Sequence, residues 1–102
     1  MKIPKQLKIG GLVYKIIWQD EPIIVEGKGD KAHGGMIDFT HGEITLQSGM
    51  SPDYTSLILL HEIIHGIFEH MGVNTAVDDE EAIVNKMANG LHGVLKDNNL
   101  TF

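Results

Sequence analysis

Residues 51–71 read SPDYTSLILLHEIIHGIFEHM, and the rest of the chain is read outward from this stretch. Ser51-Pro52-Asp53 offers a helix N-cap ahead of a strong apolar run. No proline interrupts Tyr54 to Met71, so the run forms one unbroken helix. At about 100° per residue, Leu57, Leu60, Ile64, Ile67, Phe68 and Met71 fall on one apolar arc. Tyr54, Ile58, His61, Glu62, His65 and Glu69 fall on the neighbouring arc, and Leu59 and Ile63 occupy what remains. A helix apolar over so much of its circumference is buried on most sides. His61, Glu62 and His65 therefore line an internal cleft, where polar groups need partners.

The spacing His61-Glu62-Ile63-Ile64-His65 sets two imidazoles one turn apart on the same helix face, aimed at a single point. A helix holds a divalent zinc ion in this way. Glu62 lies about 100° round the helix from His61, within reach of a water on the metal without ligating it, which suits a general base. The competing reading is two core histidines satisfied by backbone hydrogen bonds, a pattern that can arise by accident in a chain with six histidines. A catalytic zinc site takes a third protein ligand and keeps a position open for water. There is no cysteine to supply it. His70 follows His65 by five residues and points to the other side of the helix. Phe68 and Met71 stand where the longer metzincin pattern would need its glycine and third histidine.

The third ligand must come from beyond this helix. Gly72-Val73-Asn74 ends it, and Asp78-Asp79-Glu80-Glu81 opens a second apolar-periodic segment running to about Leu95. There Ile83, Val84, Met87, Ala88, Leu91, Val94 and Leu95 form the expected core stripe, with Glu81, Asn85, Ala88 and His92 along one edge. Glu81, one turn into the helix at that edge, is placed to meet the two histidines. Glu80 sits nearer the middle of the apolar arc and is the alternative ligand. Any one of the four acids, taken alone, also reads as a solvated partner of the helix dipole.

His61-Glu62-Ile63-Ile64-His65 followed by Glu81-Ala82-Ile83-Val84-Asn85-Lys86-Met87-Ala88 resembles the ImmA/IrrE-type zinc metallopeptidases. In that family the second helix carries Glu-x-x-Ala-Asn-x-Phe-Ala, with its Glu as third ligand. Val84 stands in place of the family's Ala and Met87 in place of its Phe. The resemblance, over about residues 53 to 95, implies His61, His65 and Glu81 as metal ligands, Zn2+ as cofactor and Glu62 as catalytic base. It also implies a small zincin-like α+β fold in which the strand before the metal helix, Gly42 to Leu46, is an edge strand beside the zinc. An extended peptide pairing with that edge would be the substrate. Relatives encoded by phages and mobile elements act on repressors, so the resemblance extends to a repressor as protein substrate.

The first half of the chain reads as β. Leu7-Lys8-Ile9 and Leu12 to Trp18 flank Gly10-Gly11, a two-residue hairpin turn, and Gly35 to Phe39 with Glu43 to Leu46 make a second hairpin through Thr40-His41-Gly42. Glu21 to Asp30 is a strand end or loop. Strands first and two helices after give an α+β domain of antiparallel hairpins followed by a metal helix and a second packed helix. The 102 residues allow a single domain with one modest core. A net charge of −6 without a basic stripe excludes a nucleic-acid surface. No segment approaches about 20 consecutive apolar residues, and the N-terminal Met1-Lys2-Ile3-Pro4-Lys5 has no apolar region behind its charges. With no cysteine, the expectation is a cytoplasmic protein without a membrane segment. His33, His41 and Tyr54 are candidates to stabilise an oxyanion.

The functional expectation is a zinc metalloendopeptidase hydrolysing peptide bonds with metal-activated water. The alternatives are a non-catalytic interaction or regulatory domain whose site is a structural zinc staple, and a metal-free module in which the motif is incidental.

Overall fold

The computed structural model describes residues 2–25, 32–72 and 77–100. It is an α+β arrangement. Six strands precede two helices: β1 (Gln6–Ile9), β2 (Leu12–Gln19), β3 (Ile23–Ile24), β4 (Ala32–His33), β5 (Gly35–Asp38), β6 (Glu43–Gln47), α1 (Pro52–Met71) and α2 (Val77–Asp97).

Both expected hairpins form. Gly10 and Gly11 take φ of 59° and 83°, two successive left-handed residues that only glycine adopts cheaply, and they turn β1 antiparallel onto β2 with Ile9 opposite Leu12. β5 runs antiparallel to β6 with Ile37 opposite Ile44. The hairpins join through a parallel pairing of β2 with β6, Ile16 opposite Ile44 and Trp18 opposite Leu46, so the sheet is mixed, in the order β1-β2-β6-β5. Hairpin patterns are local, whereas a parallel pair needs a crossover whose path no short-range signal encodes. Part of that crossover is a small β3–β4 ladder, Ile23 opposite His33, whose first strand lies in the segment expected to be a strand end or loop. Residues 26–30 of that segment lie outside the described residues.

One correction bears directly on the cleft. The strand expected at the edge, Gly42 to Leu46, lies in the interior as β6, flanked by β2 and β5. Its buried Ile44, Thr45 and Leu46 are what an interior strand requires. β5 is the edge.

α1 starts as expected: the Ser51 hydroxyl accepts from the Tyr54 N–H, and Gly72 closes the helix in a left-handed conformation. It lies between two apolar surfaces. Against the sheet, Leu59 joins Ile9, Tyr14, Ile16, Ile44 and Leu46, with Ile37, Ile58 and Ile63 packed around them. Against α2, Ile64 meets Val84 and Ala88, flanked by Leu57 and Phe68. Leu59, left outside both arcs by periodicity, is fully buried, while Ile67 and Met71 are exposed.

α2 departs from its expected packing. Of its apolar stripe only Val84 and Ala88 are buried, and Ile83, Met87, Leu91 and Val94 face outward. The seam that meets α1 runs instead through Glu81, Val84, Ala88, His92 and Leu95, all buried or half-buried. At about 100° per residue, that seam is turned by about 70° from the centre of the apolar arc. A two-helix contact buries one narrow seam, and here the seam takes a carboxylate with it.

Candidate metal centre

His61 and His65 project from successive turns of α1, and their rings meet edge to face with centroids 4.8 Å apart. Their Nε2 atoms approach to 3.1 Å. Glu81 reaches across the helix pair to both, Oε1 lying 2.9 Å from His61 Nε2 and Oε2 lying 3.1 Å from His65 Nε2. The ligating atoms of His61, His65 and Glu81 all lie within 4.8 Å of one another. Zinc bound at about 2.0–2.1 Å in a tetrahedron sets its donors about 3.3–3.4 Å apart, so small adjustments would seat an ion among these three. Two imidazoles and a carboxylate are also an established donor chemistry for zinc. By position and chemistry, the residues present could hold a metal ion.

Glu80 has a different place from that of a ligand. Its Oε2 accepts from His65 Nδ1 at 2.6 Å. A ring that donates Nδ1–H to a carboxylate is held in the tautomer whose Nε2 carries the lone pair, and it is fixed in orientation. Consecutive acids lie about 100° apart on a helix, so Glu81 meets the Nε2 side of the histidine pair and Glu80 reaches behind it. The turn of α2 away from its apolar arc produces this division. Read by hydrophobicity alone, the arc favoured Glu80 for the inner position.

The cluster opens onto a cleft of about 270 Å³, walled by Val25, His33, Met36, Phe39, Glu62 and others. Glu62 is only 7% exposed. It lies between the histidines and β5, where the backbone passes close: a methyl placed on Gly35 would come within 2.6 Å of Ile58 Cγ2 and 3.4 Å of Glu62 Cγ. Gly35 is thus a residue that shapes the site, and its role was not read from the sequence. The available signal was a Gly-Gly pair at a strand start, which marks close backbone approach.

The other candidates separate clearly. His41 bonds Asp38 at 2.8 Å and its side chain is 71% exposed. The His41 backbone N–H, and then its ring, hold the Asp38 carboxyl below the usual carboxylate range. Tyr54 is exposed in the first turn of α1. His70 turns away from the cluster, as its position on the helix requires, and its Nε2 is hydrogen-bonded to the buried Tyr14 hydroxyl at 2.7 Å. His33 alone of the three oxyanion candidates lines the cleft.

Compared with protein-family models, curated proteins and solved structures, the chain gives no match in any of the three.

Proposed function

We propose that this chain is a zinc-dependent metalloendopeptidase, a small member of the ImmA/IrrE type, in which His61, His65 and Glu81 hold the ion and Glu62 is the general base. The observation that carries the reading is the convergence of two Nε2 atoms and one carboxylate at the floor of a cleft lined by Glu62. When bound, zinc lowers the pKa of a coordinated water to about 7 and polarises a carbonyl oxygen.

The protein's own groups do the rest. Glu80, accepting from Nδ1, fixes the His65 ring so that the lone pair on its Nε2 faces the position that Glu81 shares. Glu62 takes the proton of the attacking water as the water oxygen adds to the scissile carbon, and returns it to the departing amine. The burial of Glu62 shields this transfer from bulk solvent. β5 supplies the rim, since Gly35, Met36 and Ile37 line the cleft and the sheet ends there. An extended segment of a protein substrate, such as a repressor, would add to that edge by strand pairing. A cytoplasmic setting agrees with the absence of cysteine, and no helix among the described residues is long and apolar enough to cross a membrane.

A structural zinc staple is the rival, and the open cleft beside the cluster favours catalysis, because structural sites are closed. Elemental analysis and a peptide-library cleavage assay test the proposal together. The parent should carry about one zinc per chain and cut peptides. Glu62→Gln should keep the metal and lose about 10²–10⁴ in turnover, and His61→Ala should lose the metal. A parent that binds no zinc, or a Gln variant that cuts as fast as the parent, refutes the assignment.

A further inference from the structure

We infer that His33 is a catalytic residue that donates a hydrogen bond from Nε2 to the carbonyl oxygen of the substrate as that oxygen gains charge; the inference rests on the hydrolase reading above. His33 ends β4, opposite Ile23, and lines the same cleft as Gly35, His61, Glu62 and Glu81. Its Nε2 is buried and has no hydrogen-bond partner among the described residues. Buried polar atoms in folded proteins are nearly always paired, so an orphan on a cleft wall points to a partner that arrives with the ligand. His33 stands outside the group of donor atoms that converge for a metal. It therefore serves a different atom.

The chemistry identifies that atom. In amide hydrolysis the water oxygen adds to the carbonyl carbon, Glu62 takes the proton, and the carbonyl π pair moves onto oxygen. Collapse breaks the C–N bond, and the amine leaves with the proton returned by Glu62. Negative charge develops on one oxygen only, and a fixed N–H in a dry wall stabilises it without reorganisation. The neutral imidazole supplies that N–H when the proton is on Nε2. An orphaned donor is costly in the empty cleft and satisfied at the moment of reaction, so the contact gains strength in the transition state.

The test uses the zinc-loaded full chain with His33→Phe, which removes the donor, His33→Asn, whose amide stops short of the Nε2 position, and His33→Gln, whose amide reaches it. Turnover of the best library peptide should fall about 10²–10³-fold in the Phe and Asn variants, with KM within about threefold. Gln should recover at least about tenfold of that loss. A phosphonamidate dipeptide, whose tetrahedral oxygens imitate the charged oxygen, should bind at least about 30-fold more weakly to Phe and Asn by calorimetry, in parallel with turnover. Zinc content should not fall in any variant, and the urea midpoint of the metal-free Phe variant should not fall, since the Nε2 it removes bonds nothing among the described residues. The inference is overturned if the Phe and Asn variants turn over like the parent, if probe affinity is unchanged, or if lost activity tracks lost stability or lost zinc. In the first two cases hydrolysis by the parent survives and only His33 loses its role. A zinc-loaded parent that cleaves nothing overturns the hydrolase reading and this inference with it.

Discussion

Gly35→Ala should destabilise the protein through one contact that can be switched off independently. The added methyl would lie 2.6 Å from Ile58 Cγ2, 3.3 Å from the Thr45 carbonyl oxygen and 3.4 Å from Glu62 Cγ. Comfortable carbon–carbon contact begins near about 3.5 Å, so about 0.9 Å has to be found. Ile58 Cγ2 is attached directly to Cβ, and a β-branched residue on a helix has one strongly preferred χ1, so the methyl does not swing aside cheaply. Thr45 belongs to the interior strand β6 and is buried. The remaining response is for β5 to lift from α1. Overpacking of this kind costs about 1–3 kcal/mol, and a loss of about 2 kcal/mol should lower the melting temperature by about 8–16 °C in a domain of this size. Ile58→Ala alone, at a half-buried position, should cost about 2 kcal/mol, but it removes Cγ2. In that background Gly35→Ala should cost under about 0.5 kcal/mol, a coupling of about 1.5 kcal/mol. Urea unfolding of the four proteins in chelator measures all the terms. Additivity within about 0.3 kcal/mol would refute the argument, because the cost would then come from strand flexibility or backbone preference and not from this contact.

Three further outcomes are expected. Glu80→Gln should weaken zinc binding about 10–100-fold in chelator competition by loosening the His65 ring, while Asp79→Asn, at an exposed neighbour, should leave it unchanged; equal effects would leave Glu80 no orienting role. Zinc at about 1,000 times its dissociation constant should add about 4 kcal/mol of stability, reversed by chelator and absent in His65→Ala; no shift in the parent would mean the cluster holds no ion. Burial, and then the negative charge of Glu69, push the Tyr14 hydroxyl above its ordinary pKa. The unfolded chain therefore releases that proton first, near about pH 10, and holds fewer protons than the folded chain there, so Tyr14 costs stability as pH rises from that point through the raised value. Urea midpoints between about pH 9 and 11 should fall more steeply for the parent than for Tyr14→Phe, and parallel slopes would contradict the burial argument.

The parts legible in the sequence were those with short-range causes. Ser51 and Gly72 bound α1 because capping is decided by atoms within one turn. Gly10-Gly11 made its hairpin because two left-handed residues in succession admit little else. The convergence of His61 with His65 follows from a spacing of four on any helix. His70 faced away by the same rule and met Tyr14, a partner that no local pattern could name.

Long-range choices were decided elsewhere. Hydrophobicity along α2 put Glu80 nearer its buried face, yet α1 offers that helix only one seam, and the seam chosen carries Glu81 to the histidines while leaving Ile83, Met87, Leu91 and Val94 outside. The parallel union of β2 with β6 moved the expected edge strand into the interior and made β5 the rim of the cleft. The amino-acid order by itself determined the two hairpins, the two helices and a pair of imidazoles on one face, since each depends on torsions and spacings inside one element. Which carboxylate meets them, which strand borders them and which further histidine lines their cleft depend on how separate elements rotate and stack. That is settled by the summed packing of many distant side chains, and only the tertiary structure contains it.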